Sequence, residues 1–373
     1  MGRGQRALTP TVITGAGAIT SVGRGVAATC AAIHAGIARP RRVNALNIVE
    51  PETQELIGIQ SHPVHGYTEG FSLLGRWMRL ARGSVQDLMS SGLTSEGASP
   101  RFWESTGLVL VVGELDDQTL LTEDGQALAR IQDEFLEPFV STLGVAIPSS
   151  NVRLLARGHA GTALALQSGM RQFAARELER LLLIAVDSYI DGLRLEGLLE
   201  NGRLKTEEQS VGFAPGEAGV ALLFETEPSA RRRTARPLGQ VLTVATDQEP
   251  EQLPRIQRGR ALTRCTQRLL DETAPSATFR GDLYNDLNGE TWRAQEWGHV
   301  RVNLGQRMDL SQWHLPCNSV GDVGAASGAL GICLALRSRD SLQGAEPLSL
   351  VLSSSDSGDV GGIVLRTPEG GQP

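Results

Sequence analysis

Short apolar runs between glycine-rich corners constrain the fold of this chain more than any other feature. Segments 107–113 (GLVLVVG) and 181–186 (LLLIAV) are short and apolar at every position. This pattern is typical of strands that helices cover on both faces of a sheet. Segment 11–14 also has a buried-strand pattern, and segment 239–245 is predicted to be a further strand. Because the runs alternate with helical stretches, the sequence predicts an α/β fold with helices covering the sheets.

The helical stretches are predicted at 25–35, 73–88, 123–134, 158–176 and 254–271. Further strands are predicted after the glycine corner of 212–225, at 281–285, and as a pair around the glycine turn of 349–367. Segment 40–70 has weak periodicity and is expected to be irregular. Segment 227–237 is charged and bounded by proline, so it is expected to be an exposed connection.

Composition limits the possible functions. A chain of 373 residues is long enough for two domains or one large duplicated domain. The net charge of −7 gives no electrostatic support for nucleic-acid binding. All but one of the 35 basic residues are arginine, so a mechanism that needs a lysine has only Lys205.

The cysteines and the apolar segments indicate the cellular compartment. The four cysteines have no metal-binding spacing and suggest a reduced, intracellular protein, with no metal or cofactor predicted. The N-terminus lacks the apolar core of a signal peptide, and no apolar run reaches the length of about 18 residues that a membrane span needs. The sequence therefore predicts a cytoplasmic protein without membrane contact.

The opening strand and turn, TGAGAIT at 14–20, invite a dinucleotide-binding interpretation. That fingerprint requires a third glycine where this chain has Thr20. It also requires an acidic residue about 20 positions further on, where the chain has Arg39, Arg41 and Arg42. Nucleotide binding is therefore not predicted.

Four segments in order along the chain carry a family resemblance. They are VITGAGAITSVG at 12–23 with HAGIARP at 34–40, GFAPGEAGVALLFE at 212–225, NSVGDVGAASGALGICLAL at 318–336, and SSSDSGDVGGIVL at 353–365. Together they resemble the β-ketoacyl synthase family of the thiolase-like superfamily. The resemblance implies two similar βαβαβαββ halves that pack as a five-layer α/β/α/β/α sandwich, usually in a homodimer. We place the halves at residues 1–235 and 236–373.

The resemblance also locates the positions where the family carries its catalytic groups. The nucleophilic cysteine, at the start of a helix, matches Gly158. The first histidine matches Asn288, and the lysine and second histidine match Cys317 and Asp322. A glycine cannot form a thioester, and an ionised aspartate would repel the enolate that a histidine stabilises. Condensing activity is therefore not expected.

Two residues remain as alternative catalytic groups. Cys317 could be a relocated nucleophile, although an adjacent carboxylate would raise the pKa of its thiol. His159 lies at a helix N-terminus, whose positive end favours a neutral imidazole that could act as a base. The backbone N–H groups of the corner could also hold a carbonyl or an anion. The candidate substrate-binding positions are Gly158, His159, Gly161, Gly321 and Gly324.

Other residues are expected to be structural. Glu217 resembles the glutamate that holds the backbone of this corner in the family, and Cys30, Cys265 and Cys333 fall in apolar helical patterns. The segment DLNGETWRAQEW at 286–297 has two interpretations that the sequence leaves open. It is either a helix with a buried aromatic side or a surface that binds a protein through tryptophan and arginine.

The resemblance leads to one leading hypothesis and one competitor. The leading hypothesis is a non-catalytic ketosynthase-like subunit that acts by binding. Its partner would be an active ketosynthase in a heterodimer, an acyl carrier protein, or a type VI secretion effector that it serves as an accessory or chaperone. The competitor is an acyltransferase, hydrolase or condensing enzyme with a rearranged site that uses Cys317 or His159.

Overall fold

A mixed sheet of eleven strands runs through the centre of a computed structural model of the chain. The structure describes residues 10–49, 52–93, 100–114, 120, 122, 125–341 and 347–368. The strands are β1 (Thr11–Thr20), β2 (Gly23–Arg24), β3 (Arg41–Val49), β4 (Leu56–Ser61), β5 (Thr106–Val112), β6 (Val152–Ala156), β7 (Arg180–Ser188), β8 (Glu217–Thr226), β9 (Gly239–Gln248), β10 (Phe279–Asn285), β11 (Met308–His314), β12 (Leu348–Ser354) and β13 (Asp359–Arg366).

Helices cover this sheet on its faces. They are α1 (Val26–His34), α2 (Leu73–Gly92), α3 (Pro100–Glu104), α4 (Ala127–Ile131), α5 (Glu137–Leu143), α6 (Gly161–Ala175), α7 (Gly192–Glu200), α8 (Glu227–Arg232), α9 (Arg260–Thr273), α10 (Thr291–Leu304), α11 (Cys317–Val320) and α12 (Ser327–Ser341). A π-helical turn at Gln132–Leu136 joins α4 to α5. In the part of the chain that the structure describes, no helix combines the length and apolarity required to cross a membrane.

The strand order repeats itself on the two sides of the sheet. The order is β11-β10-β12-β13-β9-β1-β8-β7-β5-β6, with β2 paired to β1. On each side an outer parallel trio (β6-β5-β7 or β11-β10-β12) is followed by two antiparallel strands. The predicted α/β class is confirmed. The division of the chain at residue 235 falls between α8 and β9 and stays a prediction.

Two helices of fifteen residues, α6 and α12, form the central layer. Each contacts strands that come from both sides of the sheet, and α1, α6 and α12 share one large core cluster with these strands. The contact is so close that a Cβ atom built at Gly361 would lie 2.4 Å from the Cβ of Ala163. Glycine in these strands therefore lets the central helices approach the sheet.

The structure corrects several expectations about local structure. Segment 40–70 contains an antiparallel strand pair, in which Val43 lies opposite Ile59 and the register shifts before Asn47. The pair forms because apolar residues on β3 and β4 pack on α7. Strand β11 was not predicted, since its residues are mostly exposed at the edge of the sheet. Segment 227–237 is not merely an exposed connection: it begins with α8, and Arg233 reaches the buried carboxylate of Glu225.

Other expectations hold. The helices predicted at 73–88 and 158–176 and the strands at 107–113 and 181–186 are present within four residues of their expected ends. The predicted helix at 123–134 begins at Ala127 in the structure, and residues 123 and 124 lie outside the described part. Cys30, Cys265 and Cys333 are all buried, as expected.

Glu217 holds together the backbone around the start of β8. Its carboxylate is fully buried and accepts hydrogen bonds from the Val64 N–H at 2.8 Å and the Ser188 hydroxyl at 2.9 Å. It also accepts from the Thr68 hydroxyl and forms an ion pair with Arg76 at 3.0 Å. The predicted structural role of this glutamate agrees with these contacts.

We predict that Glu217→Ala lowers the free energy of unfolding by about 3–5 kcal/mol, because it leaves a buried guanidinium and several donors without their acceptor. Urea denaturation followed by circular dichroism measures this change. Glu207→Ala is the control, since Glu207 is 54% exposed in its pair with Arg42 and its removal should cost less than about 1 kcal/mol. Equal effects of the two substitutions would contradict the anchoring role.

Candidate functional site

Two similar turns meet at the centre of the molecule, one before α6 and one before α12. Each is a single 3-10 turn that starts with a glycine at positive φ, +54° at Gly158 and +52° at Gly324. The two turns contact each other. Since a left-handed conformation favours glycine, the backbone itself explains why this residue type occupies both corners.

Asp322 connects the two turns. Its carboxylate accepts a hydrogen bond from the Gly324 N–H at 2.8 Å and one from His159 Nε2 at 2.8 Å. The other carboxylate oxygen accepts from the side-chain amide of Asn288 at 2.6 Å. Asp322 is 3% exposed and His159 is 2% exposed. Four of the predicted positions, His159, Asn288, Asp322 and Gly324, therefore lie in one hydrogen-bonded group that is largely buried.

The charges of this pair stabilise each other. Burial by itself would raise the pKa of Asp322, but the charge of His159 and its hydrogen bond hold that pKa far below its usual range. Burial by itself would lower the pKa of His159, but the Asp322 carboxylate raises it above its usual range. The pKa of His159 is thus raised, whereas the helix end alone was expected to lower it. The raised pKa favours an ion pair with Asp322 over a neutral imidazole.

Arg293 covers the other side of His159. Its Nη2 atom lies 3.3 Å from both ring nitrogens of His159, while Nη1 donates to Asp286 at 2.9 Å and to the Ser354 carbonyl at 2.6 Å. Arg293 is itself buried. Because the Asp322 carboxylate bonds to Nε2 and raises the pKa of the ring, His159 is poorly suited to accept a proton from a substrate.

Cys317 does not have the surroundings of a nucleophile. Its thiol donates a hydrogen bond to the Leu287 carbonyl. Burial, followed by the charges of Asp322 and Asp286, raises the pKa of this thiol to about 12. The thiolate needed for attack is therefore rare near neutral pH.

Two cavities border the His159–Asp322 pair. The first cavity, of about 610 Å³, reaches Gly158 and His159. The second cavity, of about 820 Å³, reaches Asn288, Cys317 and Asp322. Their described linings have no residue in common, and neither includes the complete set of predicted positions.

A second group of ion pairs, centred on Arg203, is connected to the His159–Asp322 pair through Asn288. Arg203 donates to Glu290 at 2.7 and 3.0 Å and to Asp356 at 2.7 and 3.1 Å. Glu290 in turn accepts from the Asn288 amide at 3.1 Å. A continuous series of polar contacts therefore runs from His159 through Asp322, Asn288, Glu290 and Arg203 to Asp356. We call this series the polar septum.

The predicted glycine positions divide into two groups. Gly158 borders the first cavity and Gly321 the second. Neither cavity includes Gly161 or Gly324 among its described lining residues. A Cβ atom at Gly161 would lie 2.4 Å from Val111, and one at Gly324 would lie 2.1 Å from Asp187. Close packing is therefore sufficient to explain these two glycines.

Two residues of the septum were not singled out from the sequence. Arg203 and Asp356 lie in two different loops, so their spacing gave no signal. Within segment 286–297, Trp292 and Trp297 are 7% and 6% exposed. The interpretation of these tryptophans as a binding surface is therefore wrong, and the buried-helix interpretation is confirmed.

Solved structures with a similar backbone identify the fold. The ishigamide ketosynthase/chain length factor matches 96% of this chain and 99% of its own at 18% identity, with a TM-score of 0.68. The chain has the ketosynthase fold. A β-ketoacyl synthase from Burkholderia phymatum STM815 matches 97% of this chain and 100% of its own at 14% identity, with a TM-score of 0.68.

A third ketosynthase was solved in a complex with a partner protein. In it, a type II PKS acyl-carrier protein is bound to its ketosynthase, which holds a hexaketide. That chain matches 97% of this chain and 100% of its own at 16% identity, with a TM-score of 0.72. No protein-family model and no curated protein matches this sequence. The resemblance inferred from the sequence is thus confirmed at the level of the fold.

We predict that Asp322→Asn lowers the free energy of unfolding by about 3 kcal/mol near pH 5.5, because it leaves His159 buried without an anion. The stabilisation from Asp322 is present above the unfolded aspartate pKa of about 3.9, since the folded pKa is lowered. The stabilisation from His159 is complete below the unfolded histidine pKa of about 6.5. It is lost as pH rises through the folded pKa of His159, which is raised.

The difference in the free energy of unfolding between wild type and Asp322→Asn should therefore become smaller above neutral pH. Urea denaturation between about pH 5 and 9 measures this dependence. Asp309→Asn, at a position 61% exposed in its pair with Arg280, should change stability by less than about 1 kcal/mol across the range. A constant difference from acid to alkaline pH would show that His159 is neutral throughout.

Proposed function

We propose that this chain is a non-condensing subunit of the ketosynthase fold that acts by binding. The observation that carries the proposal is the His159–Asp322 ion pair beside Gly158. Where a ketosynthase would present a thiolate and two imidazoles, this chain presents a glycine, an amide and a carboxylate whose lone pairs are already occupied.

The geometry gives chemical support to this proposal. Condensation requires a nucleophile to hold the acyl group and donors aimed at the developing oxyanion. Asn288 donates to both Asp322 and Glu290, so its amide is engaged within the septum. The negative charge of Asp322 would oppose an enolate at the same place. These residues favour a closed polar centre over a reaction centre.

The linings of the cavities also argue against an aliphatic acyl chain near Gly158. Charged side chains border the first cavity beside apolar ones such as Leu73 and Trp77. The charged ones are Glu114, Arg194, Glu196, Glu200, Arg203, Arg255 and Asp356. An aliphatic chain placed among charged groups gains little from burial, because those groups lose contact with water. The second cavity has no described lining residue in common with the first, and the carboxylate of Asp322 is part of its lining.

The competing function is an acyltransferase or hydrolase with a rearranged site. It would use Cys317 or His159, the two reactive side chains near the septum. The raised pKa of the Cys317 thiol and the contacts on both ring nitrogens of His159 weigh against it. We therefore place this function second, with no metal or cofactor and in the cytoplasm in either case.

A partner subunit would fit at strand β6. This strand lies at one end of the sheet and pairs with β5 alone among the described strands. Val152, Leu154, Leu155 and Ala156 on β6 are only half-buried, although all four are apolar. Edge strands of this kind are usually protected. We propose that a second copy, or an active ketosynthase of the same fold, covers β6.

The further partners that we propose are an acyl carrier protein or, alternatively, a type VI secretion effector. The acyl carrier protein is supported by one neighbour of the same fold, which was solved with such a protein bound. The only support for an effector as partner is the glycine at the position that matches the nucleophile of the family. Accessory members of the family without catalytic residues are also expected to lack this nucleophile.

We predict that intact-mass spectrometry after incubation with acyl-CoA and acyl-carrier thioesters shows no acyl adduct, because no thiolate is available. Cys317→Ala should give the same spectrum as the wild type. An increase of one acyl group that is absent from Cys317→Ala would overturn the proposal and make Cys317 a nucleophile. An active ketosynthase treated in parallel confirms that each donor is competent.

We predict that light scattering finds a dimer and that the backbone amides of β6 exchange slowly with deuterium, because a second subunit pairs with the edge. Strand β11 is the matched control within the same chain, since it is the other end of the sheet and largely exposed. Equally fast exchange of β6 and β11 in a monomer would refute the subunit interface at β6.

A further inference from the structure

Three carboxylates line the first cavity without a cation of this chain to balance them. They are Glu114, Glu196 and Glu200, and in the described part of the chain none of the three forms an ion pair. Glu114 accepts a hydrogen bond from the Ser357 N–H at 2.8 Å. It also lies beside Gly158, where a Cβ atom would be 3.4 Å from its Oε1 atom. The glycine corner of this cavity therefore faces a carboxylate.

The arginines that line the same cavity are already paired. The ion pairs are Arg194–Asp187, Arg203–Glu290, Arg203–Asp356 and Arg255–Asp356, at 2.6, 2.7, 2.7 and 3.8 Å. Three guanidinium groups thus meet three carboxylates. The charge of Glu114 also acts on Arg258, but this guanidinium bonds to two backbone carbonyls and is not among the described lining residues. The three unpaired carboxylates remain as a surplus of negative charge.

Two of these carboxylates lie one turn apart on α7. Glu196 and Glu200 are both exposed, while Leu195 and Leu198 on the same helix are buried in a core cluster. Residues four positions apart lie on one side of a helix, so two like charges at this spacing repel each other. A cation bound beside them would remove this repulsion. The helix therefore gains stability from a positively charged ligand.

Tyr189 adds a hydroxyl group without a partner to the cavity wall. Its side chain is 6% exposed, and its hydroxyl has no hydrogen bond to any described residue. Burial, followed by the charges of Asp322 and Asp187, raises the pKa of this hydroxyl well above its usual range, so it stays protonated. Buried polar groups in folded proteins usually have a hydrogen-bond partner. A ligand in the cavity can be that partner.

The rest of the lining determines which kind of cation fits. Apolar side chains supply much of the wall, namely Leu73, Trp77, Leu120, Leu193 and Leu198. Among the described residues, no group of three or more histidine, cysteine or acidic side chains could hold a metal ion. The volume of about 610 Å³ is that of a typical cavity for a small organic ligand. The lining thus suits an organic cation with an apolar body.

We infer that the first cavity binds a small organic amine. Its ammonium group supplies the positive charge that the three unpaired carboxylates lack, and it donates a hydrogen bond to the Tyr189 hydroxyl. Its apolar body contacts the leucine side chains and Trp77. A ligand with a carboxylate would instead meet three like charges.

This inference rests on the proposed function in one respect, because a cavity that holds no acyl group is free for another ligand. The two proposals nevertheless fail in separate experiments. An acyl adduct on Cys317 in the mass spectrum would overturn the proposed function without changing the charges of the first cavity. A lack of amine binding would leave the mass spectrum unchanged.

Isothermal titration calorimetry with hexylamine tests the inference. Hexanol is the matched control with the same apolar body and no charge, and hexanoate is the control of opposite charge. At pH 7.5 and about 20 mM salt, where charges are weakly screened, hexylamine should bind at one site. It should bind at least roughly tenfold more tightly than either control, because only the amine supplies the missing charge.

Neutral substitutions test the location. Glu196→Gln with Glu200→Gln should weaken hexylamine binding at least roughly tenfold, because two of the three unpaired carboxylates are lost. Asp271→Asn with Asp309→Asn is the matched control, since it makes the same change in net charge at two exposed positions outside both cavities. This control should leave binding unchanged.

Tyr189→Phe removes only the hydroxyl group. It should weaken hexylamine binding by roughly threefold to tenfold, as expected for one hydrogen bond to a charged group. It should leave the urea midpoint of unfolding unchanged, because this hydroxyl has no partner within the described part of the chain. The variant thus separates loss of a ligand contact from loss of folding.

Three results would overturn the inference. The first is no binding of hexylamine at low salt. The second is equal loss of binding in the two double variants, which would show attraction to the net charge of the protein only. The third is binding of hexanol or hexanoate as tight as that of hexylamine, which would make the cavity an apolar or anion-binding site.

Discussion

The ion pair of His159 and Asp322 is the interaction on which the centre of this protein depends. It joins the start of α6 to the start of α12, and these helices form the layer between strands of both sides of the sheet. Two charges buried this deeply persist only when further hydrogen bonds accompany the pair. The Asn288 side-chain amide and the Gly324 N–H donate to the Asp322 carboxylate. The pair is therefore a structural joint between the two turns.

The fold could be predicted from the sequence because its signals are local. Continuous apolar runs such as 181–186 identify buried strands, and glycines before 161 and 327 identify where helices begin close to them. The hairpin of β3 and β4 was missed because half of its residues face solvent and their periodicity is weak. Strand β11 was missed for a related reason: an exposed edge strand carries little apolar patterning.

The candidate site could be predicted only in part. Gly158, Asn288, Cys317 and Asp322 were located by their order along the chain, and the structure places them around one centre. The partners that decide their chemistry come from elsewhere. Arg293 lies on a buried helix, and Arg203 and Asp356 lie on loops that are distant in sequence. Whether Asp322 faces a cation or another carboxylate depends on these contacts, which no local pattern contains.

The two glycine turns explain why an aspartate in particular suits this position. The positive ends of two helices, α6 and α12, converge where the turns meet. Gly158 carries no charge, and the carboxylate of Asp322 bonds to His159 before α6 and to the Gly324 N–H before α12. A second anion at position 158 would share this field with Asp322, so an uncharged residue suits the corner that Gly158 occupies.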